Sequence, residues 1–265
     1  MDEVQGQARP AVIFVPGGIM PAELSYGPLL EVLGGEIRPV VKDLEIYADD
    51  TPPPGYGLGV EVEGIARAAA GAGFDSFHLV GYSAGGAASL AFTAGYPERV
   101  RSLALIEPAW TGNDDLTPEE KADWVTLERV AALPPAEMMP AFMRWQMRPG
   151  VEPPRLPVPE GPPPAWMAKR PAGIEAFVGA FRAYRLDRES LRQFRQPVYY
   201  ARGGLSTAFF ERSARTLAGL FPDMTVELYE GRSHLDPPHR AEPERFARAL
   251  RALWARGEAA VRAEG

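Results

Sequence analysis

Five consecutive residues carry the plainest chemical signal in the chain: Gly81, Tyr82, Ser83, Ala84 and Gly85, with Gly86 directly after them. They fit the pattern G-x-S-x-G. Where such a pattern ends a strand and opens a helix, the sharp turn lifts the serine clear of the sheet, and the small flanking residues let strand and helix approach closely. The amide end of the helix also favours negative charge developing nearby. The chemistry this suits is nucleophilic attack by a serine hydroxyl. That hydroxyl is a weak nucleophile at neutral pH and needs a base to take its proton. Only three histidines are available for the task, His78, His234 and His239. There is no cysteine, so disulfides, thiolate metal sites and a Cys nucleophile are excluded. No His-Glu-x-x-His pattern occurs, and neither a metal nor another cofactor is expected.

Elements must position that serine. The 265 residues suffice for one domain with a large insertion. Short apolar runs at 11–15, 37–41, 77–81, 100–106, 198–201 and 225–229 predict six strands. Helical patterning over 60–72, 84–95, 207–220 and 241–256 alternates with them. Strands alternating with helices imply an α/β, doubly wound, mainly parallel sheet with helices on both faces. The stretch 76–97 has no Asp, Glu, Lys or Arg, yet its Gly, Ser and Ala content makes it a buried strand, turn and helix rather than a membrane span.

The rhythm breaks over 111–196, where no strand pattern occurs. Thr117, Pro118 and Glu120 form a helix-start signature. Ile174, Phe177, Val178, Phe181 and Tyr184 recur at helical spacing. Eight prolines within 149–164 exclude regular helix there. The expected organisation is an α/β core of residues 1–110 and 197–265, with 111–196 a helical cap inserted after the strand that follows the nucleophile helix. Acidic and basic residues balance in the cap, twelve of each, so the net charge of −7 lies in the core. That charge argues against nucleic acid as a partner and against a polybasic membrane anchor. Residues 1–10 show no basic region followed by an apolar run, so a cytoplasmic location is expected.

The run Phe77 to Gly86 resembles the nucleophile elbow of the α/β-hydrolase superfamily, and Tyr96 to Val100 is similar to the link that follows it there. The resemblance covers most of the chain outside 111–196. It implies Ser83 as nucleophile, followed in chain order by an acid and a histidine. His234, just after the last predicted strand, stands where the superfamily has its catalytic histidine. His78, within the strand before the elbow, is expected to be a satisfied core histidine, and His239 a structural or rim residue. The acid departs from the usual pattern, because the loop 202–207 after the penultimate strand contains no carboxylate; Ser206 or Thr207 stands in its place. Glu107, at the end of the strand after the nucleophile, is the candidate acid, with Asp236 and Glu230 as rivals close to His234 in sequence. The amides of Ala84 and Gly18, with Ile19 as the next choice, are the expected oxyanion donors, since Pro16 has no amide hydrogen.

Five of the eight methionines lie in the insertion. Its Met143 and Trp145, with Trp110 beside the candidate acid, are expected to line an apolar acyl or aryl pocket beneath a lid. No single Arg or Lys stands out as a partner for a substrate carboxylate. The resemblance implies a cofactor-free serine hydrolase cleaving a carboxylic ester of a small apolar or aromatic substrate. Alternatives are a C–C bond hydrolase or lactonase using the same triad, or a non-catalytic small-molecule receptor. Haloalkane dehalogenase and epoxide hydrolase chemistry would require Asp where Ser83 stands.

Overall fold

The computed structural model of the chain describes residues 9–154 and 164–264. The expectation about residues 1–10 therefore falls almost wholly outside the described residues, as does most of the proline-rich stretch 149–164. Six strands form the sheet: β1 (Ala11–Val15), β2 (Arg38–Val41), β3 (Phe77–Tyr82), β4 (Val100–Ile106), β5 (Val198–Gly203) and β6 (Met224–Tyr229). Their order is β2-β1-β3-β4-β5-β6, and every neighbouring pair is parallel. The strand carrying the elbow, β3, thus lies centrally between β1 and β4.

The helices, in chain order, begin with α1 (Ala22–Leu33), α2 (Leu58–Gly71) and α3 (Ala84–Gly95). Between β4 and β5 come α4 (Pro118–Ala131), α5 (Pro135–Trp145), α6 (Ala165–Ala168), α7 (Arg170–Ala183) and α8 (Arg188–Gln193). The chain ends with α9 (Ala208–Ala218), α10 (Pro238–Ala241) and α11 (Pro243–Glu264). None of the described helices is long and apolar enough to cross a membrane.

Alternation along the strands sorts the core into two layers. Val12, Phe14, Val80, Ala104 and Ile106 pack with Tyr26, Leu29, Phe246, Leu250 and Trp254 of α1 and α11. Ile13, Val15, Leu79, Leu103 and Leu105 face the opposite way, against Ile65, Leu90 and Leu217 of α2, α3 and α9. Helices therefore cover both faces, as a largely parallel sheet requires. The helix α1 was not anticipated from sequence. Pro21, Gly27 and Pro28 punctuate that stretch, and Pro28 lies inside the helix without an amide to donate. Its packing against α11 compensates.

His78 is fully buried, its Nδ1 2.8 Å from Ser102 Oγ and its Nε2 3.2 Å from Glu258 Oε1. Burial lowers its pKa to about 4 against the pull of Glu258. In the insertion, Thr117 caps α4 through Glu120 in both directions, its hydroxyl accepting from the Glu120 amide at 3.2 Å and its amide donating to Glu120 Oε2 at 2.8 Å. The far end of the inserted helices is tied to the core by backbone hydrogen bonds. The Arg148 amide donates to the Leu205 carbonyl at 2.9 Å and the Thr207 amide to the Gln146 carbonyl at 3.0 Å.

Candidate active site

Close approach explains the glycines of the elbow. A Cβ on Gly81 would lie 2.6 Å from the Gly85 carbonyl oxygen, and one on Gly85 would overlap the carbonyls of Val15 and Pro16. Residue types with no side chain therefore let α3 start directly against the ends of β1 and β3. Ser83 takes the strained part of the turn, with φ 52° and ψ −116°. Its amide is held by the Ile106 carbonyl at 3.0 Å, and its own carbonyl accepts from Ala109 at 2.9 Å. A non-glycine residue at positive φ persists only where the surroundings hold it.

His234 reaches Ser83 from the turn after β6. Its Nε2 lies 2.9 Å from Ser83 Oγ, and its Nδ1 lies 3.0 Å from Glu107 Oε2. The ring is stacked on Phe210, with centroids 4.2 Å apart and planes 8° from parallel. Tyr82, within the elbow itself, donates its hydroxyl to the His234 carbonyl. Burial raises the Tyr82 pKa far above its ordinary value, so this phenol remains a donor.

Glu107 follows directly on β4 and also has positive φ, 43°. It is 2% exposed, so its carboxylate depends on protein partners. Oε1 accepts from the Gly203 amide at 2.7 Å, and Oε2 accepts from Ser206 Oγ at 3.0 Å as well as facing His234. The sequence rivals lie elsewhere. Asp236 turns to Arg232, 2.9 Å away, and Glu230 is exposed.

Gly18, Ile19 and Ala84 line the same cavity as Ser83 and His234. The Tyr47 hydroxyl donates to the Gly18 carbonyl at 2.7 Å. The amide of a trans peptide points opposite to its carbonyl, so this bond sets the direction of the Ile19 N–H, away from Tyr47. Burial pushes the Tyr47 pKa up to about 12, with the charge of Arg170 opposing.

The cavity measures about 260 Å³ and is mostly apolar. Met143 and Trp145 line it, as does Phe177 of α7. Trp110 does not. Its side chain is fully buried, stacked on Phe181 with planes 12° apart, and its Nε1–H donates to Asn113 Oδ1 at 3.1 Å. An indole satisfied in that way packs the root of the inserted helices rather than the cavity wall. His239 is likewise a packing residue, with Nε2 3.2 Å from Ser25 Oγ; burial holds its pKa well below the usual value.

Several neighbours of the site were not singled out from sequence. Ser206 stood in view as the residue replacing an acid, and its bond to Glu107 gives it a use. Phe210 belongs to the Phe209-Phe210 pair that opens α9, a signal lying close to the loop after β5. Tyr82 sits inside the motif. Arg170 and Arg240, which both line the cavity, carry no local signal among 28 basic residues. Among the described residues no cluster of three His, Asp or Glu side chains could hold a metal ion.

A profile of the alpha/beta hydrolase fold matches residues 10–153. No curated protein has a significantly similar sequence. Among solved structures, a thermophilic esterase from Thermogutta terrifontis is similar over 94% of this chain and 90% of its own, at 20% identity and a TM-score of 0.67. Carboxylesterase CesB (YbfK) from Bacillus subtilis is similar over 94% of this chain and 84% of its own, at 17% identity and a TM-score of 0.64. An alpha/beta hydrolase from Sphaerobacter thermophilus is similar over 92% of both chains, at 22% identity and a TM-score of 0.59. At such identities the likeness is one of fold, and the sequence profile spans more than half of the chain: the chain belongs to the alpha/beta hydrolase fold family and is a hydrolase-fold enzyme.

Proposed function

We propose that the protein is a serine hydrolase that cleaves carboxylic esters of small apolar or aromatic compounds through an acyl-enzyme. Ser83 Oγ attacks the carbonyl carbon while His234 Nε2 takes its proton. The negative oxygen of the tetrahedral species is met by the Ala84 amide and by Gly18 or Ile19. As the C–O bond to the alcohol breaks, Nε2 returns the proton to the departing oxygen. A water then attacks the acyl carbon, giving its proton to Nε2, and Ser83 recovers that proton as the acid leaves. Glu107 holds Nδ1–H throughout, so that the neutral ring presents Nε2 as acceptor and the charged ring is stabilised. Face-to-face contact with Phe210 adds a second restraint on the ring.

The observation that carries this reading is the unbroken hydrogen-bonded line from Ser83 through His234 to Glu107, 2.9 and 3.0 Å, opening on an apolar cavity. A ligand-binding receptor has no need of a serine held at positive φ against an oriented imidazole. The test is hydrolysis of 4-nitrophenyl esters of increasing acyl length by the wild type and by Ser83→Ala. Turnover by the wild type that vanishes in the variant is expected, with an optimum at a chain that fills the cavity. A folded wild type that hydrolyses none of the series would refute the ester reading.

A further inference from the structure

The cavity holds an anomaly that ester cleavage alone does not use. Arg170, at the start of α7, lines it and is only 5% exposed. A guanidinium stays charged in proteins and carries five N–H donors. Buried ones are ordinarily paired with a carboxylate. Among the described residues Arg170 has no ion pair, and its Nε is buried without a partner. Its faces are occupied: the guanidinium carbon lies 3.9 Å from the Tyr47 ring centroid and 5.1 Å from that of Trp166. Stacking of this kind uses the faces of the group and not its in-plane donors, of which Nε has no partner.

Among the described residues, the carboxylates of neighbouring segments are committed elsewhere. Glu61 accepts from the amides of Glu45 and Ile46 and from the Tyr56 hydroxyl, at 2.9, 3.0 and 2.9 Å. Asp50, exposed to solvent, pairs with Lys169, the residue before Arg170. Tyr47, beneath the guanidinium, is the residue that grips the Gly18 carbonyl. Arg170 is thus one side chain removed from the loop beside Ser83. A buried, stacked guanidinium with no paired carboxylate among the described residues and an unpartnered Nε, in an apolar cavity shared with the nucleophile, matches a planar oxyanion on the compound that fills the cavity.

We infer that Arg170 recognises a carboxylate on the substrate, so that the preferred esters are anionic, carrying a carboxylate away from the scissile carbonyl. This rests on the ester reading of the same site. It predicts a preference that an apolar cavity would not otherwise show, since a bare carboxylate is costly to desolvate.

Two pairs of esters test it. Mono-4-nitrophenyl adipate against 4-nitrophenyl hexanoate places the charge on the acyl side. 4-Carboxyphenyl hexanoate against its 4-carbamoyl counterpart places it on the alcohol side. The wild type is expected to favour the carboxylate member of one pair in kcat/KM by about tenfold or more. In Arg170→Met that preference falls by about ten- to hundredfold, chiefly through KM, with Arg170→Lys intermediate. Binding is read separately as stabilisation of Ser83→Ala protein against heat by monomethyl adipate compared with methyl hexanoate. The stabilisation is expected to disappear in the Ser83→Ala, Arg170→Met double variant. If no ester is turned over, the ester reading fails, and the binding experiment alone decides the role of Arg170. Equal kcat/KM within both pairs together with equal stabilisation would overturn the inference. So would a preference that persists in Arg170→Met or depends on Arg240 instead.

Discussion

Replacing Glu107 by glutamine is the sharpest test of the proposed triad, because the hydrogen bonds around the carboxylate dictate what the amide must do. Glutamine keeps one acceptor oxygen and puts a donor NH2 in the other position. With that NH2 facing the Gly203 amide, two donors would meet in a buried site, at a cost of about 1–3 kcal/mol. The favoured orientation therefore leaves the oxygen on Gly203 and turns the NH2 toward Ser206 and His234. Ser206 can rotate its hydroxyl and accept. His234 Nδ1 must also accept, so its proton moves to Nε2, the nitrogen 2.9 Å from Ser83 Oγ. The imidazole then offers Ser83 a donor where catalysis needs an acceptor.

The expected loss in kcat is about 10³- to 10⁴-fold, the scale seen when a serine hydrolase's orienting acid becomes an amide. That corresponds to roughly 4–5.5 kcal/mol of barrier. Stability should change far less, by about 1–2 kcal/mol, because each hydrogen bond keeps a partner and only its charge assistance is lost. Steady-state and pre-steady-state hydrolysis of a 4-nitrophenyl ester, alongside urea unfolding, would separate the two effects. Asp236→Asn is the control, since its carboxylate bonds Arg232 and not the imidazole. A folded Glu107→Gln protein within about threefold of wild-type kcat, or a larger loss in Asp236→Asn, would refute the assignment.

Three further outcomes follow from other parts of the structure. Gly85→Ala forces a Cβ against the carbonyls of Val15 and Pro16, so a loss of about 1–3 kcal/mol in urea unfolding is expected together with lower kcat; wild-type stability would show that elbow and β1 can part freely. Tyr47→Phe keeps the ring beneath Arg170 but removes the bond to Gly18, and should lower kcat about tenfold with little change in KM; unchanged kcat would remove Tyr47 from the support of the oxyanion loop. His78 is neutral in the folded protein down to about pH 4, whereas the unfolded chain protonates it below about pH 6.5. Its contribution is thus full above pH 6.5 and falls by about 3 kcal/mol as pH drops toward 4. His78→Gln should flatten the stability profile over that window in denaturant titrations at stepped pH, and an unchanged slope would place the acid sensitivity in other groups.

What could be read from the sequence was whatever is written locally. The run Ala11–Val15 reads as a strand because it is buried on both faces and needs no polar alternation. The α4 start reads from Thr117 and Glu120, each bonding the other's backbone amide, and from Pro118 at the first helical position. The elbow reads because its glycines answer contacts with segments the strand pattern had already located. Tertiary direction was less legible. Trp110 stands close to Glu107 in the chain, but whether an indole there turns into the cavity or against the inserted helices depends on Asn113 and Phe181, neither of which signals its partner. Arg170 is one cation among many until the fold buries it. The helix α1 carried no legible pattern, since prolines at both its start and its interior outweigh any periodicity until α11 is there to pack against.

The carboxylate-free loop after β5 illustrates how a departure in sequence can preserve a geometry. Ile106 of β4 stands in register with Ala201 of β5, so the C-terminal ends of the two strands are neighbours. A carboxylate leaving either end can approach the same imidazole. From β4, glutamate supplies one more methylene than aspartate, and Glu107 leaves the strand at positive φ with its carboxylate against Gly203 of β5. Such a backbone costs about 1–3 kcal/mol. Offsetting it, the end of β5 and the loop after it supply donors instead of an acid, the Gly203 amide on one oxygen and Ser206 on the other. The carboxylate is thereby held before any substrate arrives, as preorganised catalysis requires. The same loop is bonded through Leu205 and Thr207 to Arg148 and Gln146 just after the inserted helix α5. Displacing α5 would therefore loosen the grip on Glu107 as well as open the cavity it lines, which ties the orientation of His234 to the seating of that helix.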